Sequence, residues 1–162
     1  MERPKLKLTV IILLALLNIF LLGLVVMQNA EAKAYKEENR TQAIAYLESH
    51  GIRAEEGIIP WKSVLLDPPD DPARLLLEKV PAKGSTVTWE ILPMRQPETL
   101  VVDFVRGLTA RMETCTQIES IEEGYRSMEI GSRAILTPVW VITTDGGVYR
   151  MNCATGDLTK EE

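Results

Sequence analysis

Twenty consecutive residues, Leu8 to Met27 (LTVIILLALLNIFLLGLVVM), carry no charge, and only Thr9, Asn18 and Gly23 interrupt a strongly apolar run. At helical rise such a run spans roughly 30 Å, the thickness of a bilayer's hydrocarbon core. A helix satisfies its backbone groups internally, so its apolar side chains can face lipid at no hydrogen-bonding cost. The run predicts a membrane-spanning helix, and the rest of the chain is to be read as tethered. Arg3, Lys5 and Lys7 precede it against Glu2, whereas the far flank is mixed (Glu31, Lys33, Lys36, Glu37, Glu38, Arg40). That bias places the N-terminus in the cytoplasm and the C-terminal part outside the cell membrane. The expected organisation is a basic cytoplasmic tail over 1–7, a transmembrane helix over 8–27, a juxtamembrane helix over 28–50 and an extracytoplasmic domain over 51–162. The rival is a cleaved signal peptide, for which Ala30-Glu31-Ala32 has the small-x-small form. Length favours the anchor, because a signal's apolar region is typically ~7 to 15 residues.

Removing Glu2, Arg3, Lys5 and Lys7 from the chain's 23 acidic and 18 basic residues leaves 22 against 15, a net charge of −7 for the exported part. Nucleic acid and anionic lipid both require clustered Lys and Arg, and no such cluster is present, so no nucleic-acid partner is expected. The length allows one modest domain. Cys115 and Cys153 fall in a compartment that permits a disulfide; the alternative is that each is a small buried hydrophobe.

Ala34 to His50 is rich in helix formers, with Ala43, Ile44 and Leu47 as an apolar stripe and Gly51 as its C′ residue. Ile52 to Val64 carries strand-like residues broken by Gly57 and Pro60, and Asp67-Pro-Pro-Asp-Asp-Pro72 reads as a loop. Arg74 to Val80 and Thr86 to Leu92 are candidate strands around a hairpin-like Lys83-Gly84-Ser85. Pro97 opens an amphipathic helix with Val101, Val105, Leu108 and Met112 on one face, Glu98 in its first turn and Arg111 in its last. Gln117 to Ile130 alternates weakly, with Gly124 marking a bulge or break. Val139 to Thr144 and Val148 to Cys153 flank Asp145-Gly146-Gly147, which predicts a type I′ hairpin whose first strand, apolar on both faces, is central. Gly156 in the closing Ala154-Thr155-Gly156-Asp157 turn is placed to take positive φ. The expected fold class is α+β: a single N-terminal transmembrane helix, then one small extracytoplasmic domain with an antiparallel sheet packed on a helix.

Motifs for catalysis are missing from the sequence. His50 stands alone at a helix end with no ligand-spaced partner and reads as a C-terminal dipole partner. Asp67, Asp70 and Asp71 are interrupted by prolines and do not fit a calcium loop. Glu122 and Glu123 would point to opposite faces of a strand. No catalytic, cofactor-binding or metal-binding residues are assigned, and the chain is not expected to be an enzyme. Trp61, Trp89 and Trp140 read as core or rim packing. Asn18 is the one candidate contact, because a side-chain amide in the middle of a lipid-facing helix lacks partners unless it bonds its own backbone or another helix supplies them.

The stretches LLNIFLLGLVV, AIAYLESHGI and GIIP near the start, and TPVWVITTDGGVYRMNCATGDL at the end, resemble the YycI/YycH regulatory proteins of Gram-positive bacteria. The last stretch is also similar to the closing hairpin of PepSY-type domains and of the spore germination protein YpeB. There a Pro-Val-Trp strand leads through a hairpin to an Asn-x-Ala turn closed by a glycine, whose place is taken here by Asn152, Cys153, Ala154, Thr155 and Gly156, with Cys153 where a small residue such as alanine is commoner. The resemblance implies a non-enzymatic membrane-tethered accessory protein that associates through its transmembrane helix with a sensor histidine kinase and tunes signalling that controls cell-wall metabolism. The alternative it leaves is an anchored PepSY-like inhibitor, or an envelope or spore assembly module.

Overall fold

A computed structural model describes residues 3–55, 57–78, 88–130 and 133–161. Helix α1, Arg3–Ser49, is continuous, so the apolar run and the segment after it are one element. The chain divides into two compact units, Met1–Thr41 and Gln42–Glu162. In the first, none of the apolar window of α1 is buried, and the helix is long and apolar enough to cross a membrane. In the second, the last turns of α1 bury Ala43 and Leu47 while Ile44 stays exposed.

α1 ends in a paired-bond cap. The Ile52 N–H donates to the Leu47 carbonyl (3.0 Å) and the Gly51 N–H to that of Glu48 (2.9 Å), with Gly51 at φ 76°. This is the Schellman arrangement, which needs a left-handed residue at C′ and sets an apolar contact between the residues on either side. Leu47 and Ile52 belong to the same buried cluster.

Among the described residues six strands form one sheet. β1 is Arg53–Ala54, β2 Thr88–Ile91, β3 Gln117–Ile130, β4 Arg133–Thr144, β5 Gly147–Asn152 and β6 Leu158–Lys160. Their order is β1-β3-β4-β5-β6, with β2 also on β4. The antiparallel expectation holds for β3 to β6, but β1 pairs with β3 and β2 with β4 in parallel, so the sheet is mixed. One edge of β4 is taken by β3; the other is shared end to end by β2 (at Arg133–Leu136) and β5 (at Val139–Thr144). Pro138 sits where that partner changes, a place where a missing N–H breaks no ladder.

Among the described residues, the two segments expected to form a hairpin, Arg74–Val80 and Thr86–Leu92, do not pair with each other. Pro72–Leu75 is a 3-10 turn, Leu76 makes an isolated parallel bridge to Tyr125, and the second segment finds β4 instead. The Lys83-Gly84-Ser85 turn lies outside the described residues. Gly124 is not a bulge: it pairs in register with Val139, and the irregularity lies between Ile118 and Ser120. Glycine is required at 124 because a Cβ there would meet the Leu75 carbonyl oxygen at 2.6 Å and Leu77 Cγ at 2.5 Å.

α2, Pro97–Ala110, buries Leu100, Val101, Phe104, Val105 and Leu108 against the sheet. Met112, expected on that face, is 94% exposed, because the helix has already ended. Arg111 is the cap residue rather than part of the last turn, and Met112 adopts φ 58°. The Glu113 N–H donates to the Leu108 carbonyl (3.0 Å) and the Met112 N–H to that of Thr109 (3.1 Å), a second paired-bond cap without a glycine. Trp140, Ile142, Tyr149, Met151 and Cys153 meet α2 in the main core, where Phe104 and Tyr149 pack edge to face at 5.9 Å.

The β4–β5 turn departs from type I′, since neither Asp145 nor Gly146 has positive φ; that conformation falls on Gly147 (φ 129°). The reason is the Asp145 carboxylate. It accepts the N–H groups of Thr116 (2.8 Å) and Gln117 (3.1 Å) and the Thr116 hydroxyl (2.6 Å), tying the turn to the start of β3.

Candidate functional site

Asn18 lies within α1, and its helical neighbours Leu14, Leu17, Leu21 and Leu22 are all exposed. Its amide sits near the middle of an apolar segment that no described residue covers, so in a bilayer the helix's own backbone or a second molecule would have to meet it.

In the second unit the residues expected for chemistry are dispersed. Cys115 and Cys153 are separate buried thiols. Burial, with the nearby Asp145 carboxylate second, pushes the Cys115 thiol up to about 11, and burial also drives Cys153 well up. Both are therefore protonated at neutral pH and neither is an activated nucleophile. His50 Nδ1 lies 2.9 Å from the Tyr46 carbonyl, which can only accept, so Nδ1–H caps the helix end. Asp71 pairs with Arg74 at 3.2 Å, and among the described residues no group of three His, Cys, Asp or Glu side chains is placed to hold a metal ion. Glu123 accepts the Trp140 indole N–H at 3.2 Å while Glu122 is exposed, as opposite strand faces require. Trp61 and Trp89 are half-buried at the margins of the two apolar clusters.

Two arrangements were not legible in the sequence. The first is a latch on the 152–156 turn. The Arg95 N–H donates to the Cys153 carbonyl (2.9 Å), its guanidinium donates to the Thr155 carbonyl (2.9 Å), and it pairs with Asp103 of α2 at 2.6 Å. Asn152 Oδ1 accepts the N–H groups of Ala154 and Thr155, and Gly156 (φ 87°) leaves room for the ion pair. Residues Asn152 to Gly156 thus build a stapled turn.

The second is a cleft of about 740 Å³ between the end of α1 and the segment that follows it. Leu47, Ile52 and Ile59 are buried at its floor, Ile44 and Trp61 stand at its side, and Glu48, Arg53 and Glu55 lie on its rim. Ala54 of β1 also lines it. A concave apolar surface with a few polar groups at its edge has the form of a recognition site.

No protein-family model, curated protein or solved structure matches the chain.

Proposed function

We propose that this chain is a non-enzymatic, single-pass membrane protein that regulates a partner, with its N-terminus in the cytoplasm and its α+β domain outside. Its partner in this reading is the sensor kinase of a two-component system that controls cell-wall or envelope processes. The observation that carries the reading is the uncovered apolar length of α1 with one amide, Asn18, near its centre. The amide gives the anchor a directional contact that a plain hydrophobic tether lacks. A bias of ~1 to 3 kcal/mol between two arrangements of the partner's helices suffices for regulation. The Gram-positive regulators that the sequence resembles act laterally in this way.

A second reading is favoured by the cleft at the end of α1: an anchored PepSY-like inhibitor or assembly module that works through its domain, for which the helix is only a tether. Exchanging 8–27 for an unrelated apolar helix separates the two. Regulation predicts loss of the effect on kinase output with the protein still in the membrane; the tethered module predicts full retention. A reporter fused after Glu162 that is active only outside the cytoplasm tests the orientation.

A further inference from the structure

Among the described residues β1 is an end strand of the sheet, and the cleft adjoins it. Arg53 donates its N–H to the Thr116 carbonyl at 2.8 Å and stands opposite Gln117. Successive strand residues direct their backbone groups to opposite sides, so the N–H and C=O of Ala54 face away from β3, into the cleft that Ala54 lines. Among the described residues no carbonyl meets that N–H. Beside it lie the exposed Ile44 and the half-buried Trp61, over a floor of buried Leu47, Ile52 and Ile59. The rim carries Glu48 and Glu55 against Arg53, so its balance is acidic.

We propose that this cleft binds an extended segment of a partner protein, an apolar residue flanked by lysine or arginine, which pairs its backbone with Ala54. Three features select that occupant. The outward Ala54 N–H is satisfied by a peptide carbonyl and left unsatisfied by the hydrocarbon of an acyl chain. The apolar floor takes one large side chain, since alternate residues of an added strand point the same way. The acidic rim attracts basic flanks and repels a second copy of this acidic domain. The site lies within Gln42–Glu162 and does not depend on how the anchor acts.

The test uses the full chain in nanodiscs of zwitterionic lipid and a fluorescent acetyl-Lys-Val-Leu-Val-Lys-amide probe, read by anisotropy. Saturable binding is expected. Methylating the nitrogen of the central leucine, or replacing both lysines by glutamate, should weaken it by about tenfold, the effect of one unmet backbone bond or of reversed charge. Ala54→Pro, which removes an N–H that β3 does not use, should do the same, and Ile44→Glu should abolish binding. The methylated probe acts on the unaltered protein, so the result stands even where a variant folds poorly. The proposal is overturned by no saturable binding, by equal affinity for the methylated probe, or by binding that ignores the charge of the flanks. Displacement of the probe by decanoate at micromolar concentration, or its exclusion by dimerisation of the chain, would also overturn it, by assigning the cleft to an acyl chain or to a second copy.

Discussion

Met112 is an exposed side chain in a left-handed conformation that L residues adopt at a cost of about 1–2 kcal/mol. It holds the C′ position of α2, where glycine is the usual occupant. Met112→Gly should therefore raise stability by about 0.5–1 kcal/mol after glycine's greater chain entropy is set against the relieved strain, a gain visible in thermal unfolding of the full chain in detergent. Asp145 acts in the opposite sense. The Thr116 hydroxyl first, then the N–H groups of Thr116 and Gln117, hold its carboxyl below the ordinary 3.8. A depressed folded-state value gives stability that is present above about 3.8 and is lost as pH falls through the folded value. Glu113, lowered first by the Tyr149 hydroxyl and then by Lys160, adds to the same acid limb. Asp145→Asn should lower the melting temperature at pH 7 and shrink, without removing, its fall between pH 5 and pH 3. An unchanged acid limb would mean that the carboxylate does not tie the turn to β3.

At the scale of elements, what was legible depended on how local the cause was. The α1 cap follows from Gly51 and two apolar neighbours, α2 from Pro97 and its periodic stripe, and the β4–β5 hairpin from two β-branched runs around Asp145-Gly146. Each is fixed by residues close in sequence. The parallel pairing of β1 and β2 is not, because it depends on which distant strand lies alongside. Gly124 shows the same limit. A glycine inside a strand marks either a bulge or a close approach, and only the position of Leu75 and Leu77 decides between them. The Arg95–Asp103 latch and the cleft were hidden for this reason: their members are brought together by the fold, with no signature spacing. The turn itself supplies a test. Gly147 (φ 129°) has Lys160 Cε 3.0 Å from where a Cβ would stand, whereas Gly57 (φ 93°) has open space there. Gly147→Val should destabilise the domain more than Gly57→Val, by about 1 kcal/mol from the added crowding of a β-branched residue. Equal melting temperatures would contradict the assignment of strain to the hairpin.

At the scale of the whole molecule, one helix carries both the apolar run and the Ala43 and Leu47 side chains that enter the domain's core. The domain adds a sheet covered by α2 and a cleft beside β1. The proposed regulatory role puts the decisive contact at Asn18. The most direct measurement is therefore co-purification of sensor histidine kinases, identified by mass spectrometry, with the full chain from detergent-solubilised membranes, wild type against Asn18→Leu. Leucine keeps apolar bulk and membrane insertion, so expression should not change, and loss of the amide's interhelical bond, on the order of 1 kcal/mol, should reduce the recovered kinase several-fold. Equal recovery with both proteins, together with rescue of a deletion by the domain lacking its anchor, would contradict a lateral mechanism and leave the tethered binding module as the account.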